Sequence, residues 1–386
     1  MKRMLMTMTM LMVFSLSIGL AGTYSGGSGT EVAPYQIATT GDLIELSNTS
    51  GDWGAYFKQT ANIAFNSDET AVDWDGDGSA DGASPDGFSP IGNSSTQFTG
   101  NYDGDGHTID NLYIDRSTTD YIALFGYANG AAISDIGVTN VDITAKDVVG
   151  GLVGNNYNSS TVENSYSTGT VSGDNKVGGL VGQNDNSMVR YSYSTGSVGV
   201  VGISYYVGGL VGFNLNFANV MKSYSMGSVS GYREVGGLVG LNYGYVTYSY
   251  STGFVSGSVL IGGLVGKNGA TVNHSFWDTE TSGQSSSEGG TGKTTTQMKI
   301  LSTFGNAEWD IVSRYDTDHT WNMESAVNSG YPYLSWAKGV DTALPITLSY
   351  FEAAYQNGTI LLSWQTATET ENLAFRIYKD NEIIAE

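Results

Sequence analysis

The stretch Asp73-Trp74-Asp75-Gly76-Asp77-Gly78-Ser79-Ala80-Asp81 sets oxygen-bearing side chains at alternate positions around two glycines. Calcium chemistry asks for this, because a hard cation takes oxygen ligands and a glycine at the sixth position permits the sharp turn. Asp73, Asp75, Asp77, Ser79 and Asp81 are therefore the expected ligands of a structural Ca²⁺. Ser84 stands where such a loop ordinarily carries a bidentate glutamate, so binding is expected to be weak unless Asp86 substitutes. A solvated acidic loop is the alternative reading. Without flanking helices the metal would act as a clip and not as a sensor.

Other segments promise less chemistry. Tyr102-Asp103-Gly104-Asp105-Gly106 is acidic and glycine-rich, and reads as a tight turn between strands. Gly289 to Thr294 has a phosphate-loop look, but Ser287 occupies the place of the required first glycine and no βα unit surrounds it. Glycoside chemistry needs a carboxylate pair on one face. Asp147, Asp174, Asp185, Arg190, Arg233 and Lys267 are scattered, with no repeated acid pair. Tyr157, Tyr191, Tyr205, Tyr206, Tyr243 and Tyr248 offer flat faces with polar tips that suit sugar rings. Ordinary solvent-facing tyrosines are the competing reading.

The elements that would position these groups are set by a repeat. Gly-Gly-Leu-Val-Gly begins at Gly150, Gly178, Gly208, Gly236 and Gly262, in steps of 28, 30, 28 and 26 residues. Asn156, Asn184, Asn214, Asn242 and Asn268 follow each string two residues later. A second half-unit places Val four residues before an aromatic, from Val162 and Tyr166 to Val272 and Phe276, with serine immediately before the ring. An even separation in extended chain points both side chains to one face, so Val and aromatic are expected inside and the flanking serines outside. Gly169, Gly196, Gly227 and Gly253 follow the rings and are expected at a bend.

A period of this length signals units that bury their apolar faces only by stacking. The expected fold is all-β: a parallel β-helix, or solenoid, with coils of about 28 residues, followed by a partial β-sandwich. A propeller blade is longer, and the leucine-rich spacing is absent. Stacked coils predict ladders of Leu, Val, aromatic and Asn side chains, with the asparagines bonded to one another along the axis. A degenerate coil is visible at Leu124-Phe125-Gly126, with Ile133 in the place of Val162.

Composition agrees. The 386 residues carry 53 glycines at fixed offsets, no cysteine, and a net charge of −22. That charge argues against nucleic acid and anionic membranes as partners. Lys2 and Arg3, the apolar run to Leu20 and the small residues near Ala21 read as a secretory signal peptide, and no other stretch is expected to span a bilayer.

Gly-Gly-Leu-Val-Gly-x-Asn followed by Ser-Tyr-Ser-Thr-Gly-x-Val-Ser-Gly resembles the GLUG-motif repeats of bacterial exported surface proteins, over Tyr121 to Lys299. The resemblance implies a secreted or cell-surface parallel β-helix with an adhesin-like role. Some relatives in that family are immunoglobulin A-cleaving metallopeptidases with a His-Glu-x-x-His zinc site. Here His107, His274 and His319 are not followed by Glu, so that activity does not carry over. The stretch from Leu344 to Tyr378 resembles the start of a fibronectin type III-like module.

The expected layout is a signal peptide over 1–21, then an N-terminal cap and first coils with the acidic loop over 22–120. GLUG coils follow over 121–280, a C-terminal cap or linker over 281–340 and a truncated sandwich over 344–386. Asp42 to Leu46 is expected to form a capping helix, and Trp309, Trp321, Tyr331, Tyr333 and Trp336 a lid over the last coil. The expected function is non-catalytic: a surface or secreted repeat protein for adhesion or spacing, with a glycan or a host or matrix protein as partner and further C-terminal domains. The alternative is a carbohydrate-binding or polysaccharide-degrading β-helix.

Overall fold

The computed structural model describes residues 22–74, 76, 79–82 and 85–337, and the backbone of strands Leu348–Gln356, Thr359–Thr366, Ile377–Lys379 and Glu382–Ala385. The signal-peptide segment lies outside the described residues. The chain from Tyr35 to Lys293 winds as a parallel β-solenoid whose coils pair in register through three sheets of nine, sixteen and six strands. The six-stranded sheet counts the regular turns: it stacks Phe125–Asn129, Val153–Tyr157, Val181–Asp185, Val211–Leu215, Val239–Asn242 and Val265–Asn268. The degenerate coil takes its expected place, with Phe125 beside Val153 and Ile133 beside Val162.

The core is made of the repeated residues. Leu124, Leu152, Leu180, Leu210, Leu238 and Leu264 are all fully buried in one continuous cluster with the valines of each coil. Asn156, Asn184, Asn214 and Asn242 are buried, and each donates Nδ2 to the Oδ1 of the next asparagine at 2.8–2.9 Å, ending on Asn268. The same amides reach backbone carbonyls at the corner, such as Met188 O and Asn219 O. They therefore satisfy the polar backbone where the chain turns, which a buried corner requires.

The rings contradict the parity expectation. Tyr166, Tyr193, Tyr224, Tyr250 and Phe276 do not enter the solenoid core; they belong to a second cluster on its outside. The cause is a left-handed residue between the valine and the ring: Asn164, Tyr191, Lys222, Tyr248 and His274 have φ of +47° to +51°. One such residue turns a corner and reverses which side the next side chain faces. The serines are corrected with the rings. Ser165, Ser192, Ser223 and Ser249 are buried, and a backbone N–H of the preceding coil donates to each Oγ. Ser167 and Ser194 point inward onto the second glycine of the string. A Cβ on Gly179 would overlap the Ser194 hydroxyl and the Gly209 carbonyl, so this glycine is needed for close approach. At the expected bend, pairing shifts register between Ser167 and Gly169, and Gly169 has φ +104°.

The ends are closed differently from each other. At the N-terminal end the helix Thr40–Asn48 is started by a capping box between Thr39 and Asp42 and buries Leu43, Ile44 and Leu46. At the other end Trp277 replaces the inward serine of earlier coils, paired with Ser251, and joins the core cluster. Ser287 accepts hydrogen bonds from the backbone N–H groups of Leu264 and Val265 there.

The aromatic segment expected as the lid runs instead along the side, over the stacked tyrosines. Trp309 packs on Phe276, Trp321 on Tyr224 and Tyr250, and Trp336 on Tyr166 and Tyr193. It is a strap that retraces the solenoid towards earlier coils. Leu348–Gln356 with Thr359–Thr366, and Ile377–Lys379 with Glu382–Ala385, form two antiparallel hairpins.

Candidate functional site

Asp75, Asp77 and Ser84 of the acidic loop lie outside the described residues. Asp73 accepts a hydrogen bond from the backbone N–H of Gly76 at 2.7 Å, and Asp81 one from that of Trp74 at 2.8 Å. Trp74 is buried against Phe65, so the loop is anchored to the first coils through its ring. The Asp103–Gly106 segment is the expected turn: Asp105 and Gly106 have positive φ, and Asp105 pairs with Lys58 at 3.0 Å.

The scattered charges are not brought together. Asp147 and Asp185 each accept from an asparagine of the next coil, Asn175 and Asn216, and Arg190 pairs with Glu163 at 2.6 Å. A cleft of about 320 Å³ between solenoid and strap gathers Glu163, Tyr191, Asp310, His319 and Trp336. Of its three acids, Glu163 is engaged by Arg190 and Asp310 by His319, each at 2.6 Å, while Asp318 stands at the rim.

The candidate tyrosines separate into two groups. Tyr191 and Tyr248 are partly buried beside the strap: Trp336 donates to Tyr191 O, and Tyr248 stacks on His274. Tyr157, Tyr205, Tyr206 and Tyr243 belong to a different surface, the outside of the six-stranded sheet and its adjoining corner. Tyr206 stacks on Phe213 at 5.3 Å, and Phe213 meets Tyr243 at 6.2 Å.

That surface is built from positions the repeat leaves variable. The residue between the third glycine and the ladder asparagine forms one column, Tyr127, Asn155, Gln183, Phe213, Leu241 and Lys267, aligned coil by coil. Beside it, two residues before each string, lie Val148, Lys176, Tyr206, Glu234 and Leu260, all with positive φ. On the other side Tyr157, Asp185 and Leu215 are in register. Burial pushes the Tyr127 hydroxyl pKa up, with Tyr121 and Tyr157 adding to the shift. Tyr127, Gln183, Phe213 and Leu241 were missed by the sequence reading. The variable x in Gly-Gly-Leu-Val-Gly-x-Asn was the signal that marks them.

Fold and surface together define a glycine-rich parallel β-solenoid with repeated inner ladders and a variable outer face. Residues 148–172, 173–199 and 203–230 match the Glug family, the GLUG motif. The chain is 37% identical over 164 residues to Halomucin of Haloquadratum walsbyi, covering 41% of this chain and 2% of that protein. It is 33% identical over 147 residues to a protein named as a Gly-rich membrane protein of Evansella cellulosilytica, covering 36% of this chain and 16% of the relative. The chain thus spans a small part of the length of both curated relatives. Among solved structures, an IgA1 Protease chain aligns with 62% of this chain and 19% of its own length, at TM-score 0.43 and 19% identity. No helix among the described residues is long and apolar enough to cross a membrane.

Proposed function

We propose that the chain is a non-catalytic, exported surface protein whose β-solenoid serves as a spacer and displays its variable face for adhesion, to a glycan or to a host or matrix protein. The observation that carries this reading is the division of labour within each coil. Inner positions repeat so that coils add without limit, while the outer positions on one sheet differ from coil to coil. Similarity to Halomucin and to a protein named as a Gly-rich membrane protein supports it. Dispersed carboxylates, several of them already paired, favour binding over hydrolysis. The first 21 residues act as the export signal, and the segment from 344 begins a fibronectin type III-like module. The acidic loop of Asp73, Asp75, Asp77, Ser79 and Asp81 holds a structural Ca²⁺ that fixes the first coils.

Protease treatment of intact cells tests the reading: the chain is cut from outside while a cytosolic marker survives. Protection of the chain in intact cells, with cutting only after lysis, would refute export. Calcium is tested separately, since added Ca²⁺ should raise the Tm of the purified protein and a chelator should reverse the gain. No shift at millimolar Ca²⁺ would remove the metal from the account.

A further inference from the structure

The outer face of the six-stranded sheet carries aromatic groups at two heights with amides between them. Tyr121, Tyr127 and Tyr157 form a chain of rings 5.3 and 5.9 Å apart. Further along, Tyr206, Phe213 and Tyr243 form a second. Tyr127 and Phe213 share one column and Asn155 and Gln183 fill the two rungs between them. At about 4.8 Å per coil, the two groups stand about 14 Å apart along the axis.

The amides are not explained by the fold. Gln183 is 9% exposed, and its Oε1 is buried without a hydrogen-bond partner. Asn155 bonds the Tyr127 hydroxyl but leaves its own buried Oδ1 unpaired. An unpaired buried polar group costs about 1–3 kcal/mol. Leu241 occupies the same column with an apolar side chain, so packing does not require an amide there.

Charge narrows the occupant. On a chain of net charge −22 this face is close to neutral: Glu234 is buried and paired with Arg233 at 2.6 Å, which leaves Lys176 and Lys267 beside Asp185. Polyanions would meet long-range repulsion from the rest of the molecule. Charged groups at the centre of the face, Lys176 and Asp185, are of types depleted from protein–protein interface cores. Resting on the reading of the chain as a surface-display protein, we infer that this face is a binding track for an unbranched neutral polysaccharide laid along the solenoid axis. The rings stack on pyranose faces at both heights. Gln183, the more exposed of the two amides, turns its side chain outward to bond a sugar hydroxyl in the middle, and Asn155 holds the Tyr127 hydroxyl from below.

The test is calorimetric titration of the full chain with cellohexaose, mannohexaose and xylohexaose as neutral probes and oligogalacturonate as the anionic one. At least one neutral hexaose binds, and Phe213→Ala and Gln183→Leu each weaken it about tenfold or more, one good contact's worth. Phe254→Ala, an exposed ring outside the track, leaves binding unchanged. Gln183→Leu keeps or raises the Tm, which separates lost binding from lost folding. The inference is overturned if no neutral hexaose binds, if the two variants bind like the parent, or if galacturonate alone binds. Any of these, in a chain still cut from outside intact cells, leaves the surface reading standing; a chain found inside the cell defeats that reading whatever the hexaoses do.

Discussion

Asn214 shows what a single residue does in a stacked structure. Its Nδ2 donates to Asn242, its Oδ1 accepts from Asn184, and Nδ2 also reaches Ala218 O. Replacing it by leucine strips a partner from the buried asparagine on each side. Asn184 Nδ2 keeps Asn219 O and Asn242 Oδ1 keeps the Gly244 N–H, so with two buried bonds lost but no group wholly orphaned Asn214→Leu should cost about 2 kcal/mol. Asn268 ends the ladder and is only partly buried, and Asn242, which donates to it, keeps Gly244 O and Thr271 O within reach, so Asn268→Leu should cost about 1 kcal/mol. Urea unfolding of the two variants decides the matter. Equal losses would mean that the ladder contributes no more inside than at its edge. The upper end of the ladder is already unfilled: Asn156 lies beside Ala128, and its Oδ1 is buried without a partner.

At the level of the element, the strap over residues 295–337 is the feature that the repeat could not announce. Its tryptophans cover rings stacked 4.8–5.0 Å apart and within 11° of parallel. Burial pushes the Tyr224 and Tyr250 hydroxyls up in pKa. The strap also carries Asp310 and His319, whose pairing gives its stability a pH window. His319 is held above its ordinary 6.5 by the Asp310 hydrogen bond, so its contribution is complete below 6.5 and is lost as pH rises through the raised value. Burial pushes Asp310 up, but His319 and the Thr320 donors outweigh it and hold it below 3.8. Its contribution is therefore complete above 3.8 and is lost as pH falls through the lowered value. The strap should resist limited proteolysis best between pH 3.8 and 6.5. Because both groups are largely exposed, the change is modest, and Asp310→Asn should abolish it. A wild-type profile that persists in Asp310→Asn would assign the window to other groups. Spacing alone made the leucine and asparagine columns and the coil period legible, because identical residues at one period can stack in only one way. The ring column was read onto the wrong face because Asn164, Tyr191 and Lys222 adopt left-handed backbone, which two-residue alternation does not encode. The strap was legible as aromatic composition but not as position, since its partners lie 82 and 145 residues away, in Tyr250 and Tyr191.

Across the whole molecule 38 acids stand against 16 bases, and those on the solenoid stack at a spacing of about 4.8 Å, where like charges directly above one another are destabilising. The solenoid avoids this by alternating acid and amide. Asp110 accepts from Asn140, Asp135 from Asn164, Asp147 from Asn175 and Asp185 from Asn216, each across one coil. Nearest-neighbour repulsion is thereby removed at these four positions, while repulsion over longer distances remains. Raising NaCl from 0.01 to 0.15 M shortens the screening length from about 30 to about 8 Å. Thermal unfolding followed by circular dichroism should therefore show Tm rising with salt. The exposed ion pairs that screening weakens, such as Lys58 with Asp105 and Lys146 with Asp120, contribute little each. Asn175→Asp would set a carboxylate on Asp147, lower Tm at 0.01 M NaCl and recover part of the loss at 0.15 M as the new repulsion is screened. A wild-type Tm that falls with salt would instead place the exposed ion pairs above self-repulsion. An Asn175→Asp loss independent of salt would reduce the alternation to hydrogen bonding alone.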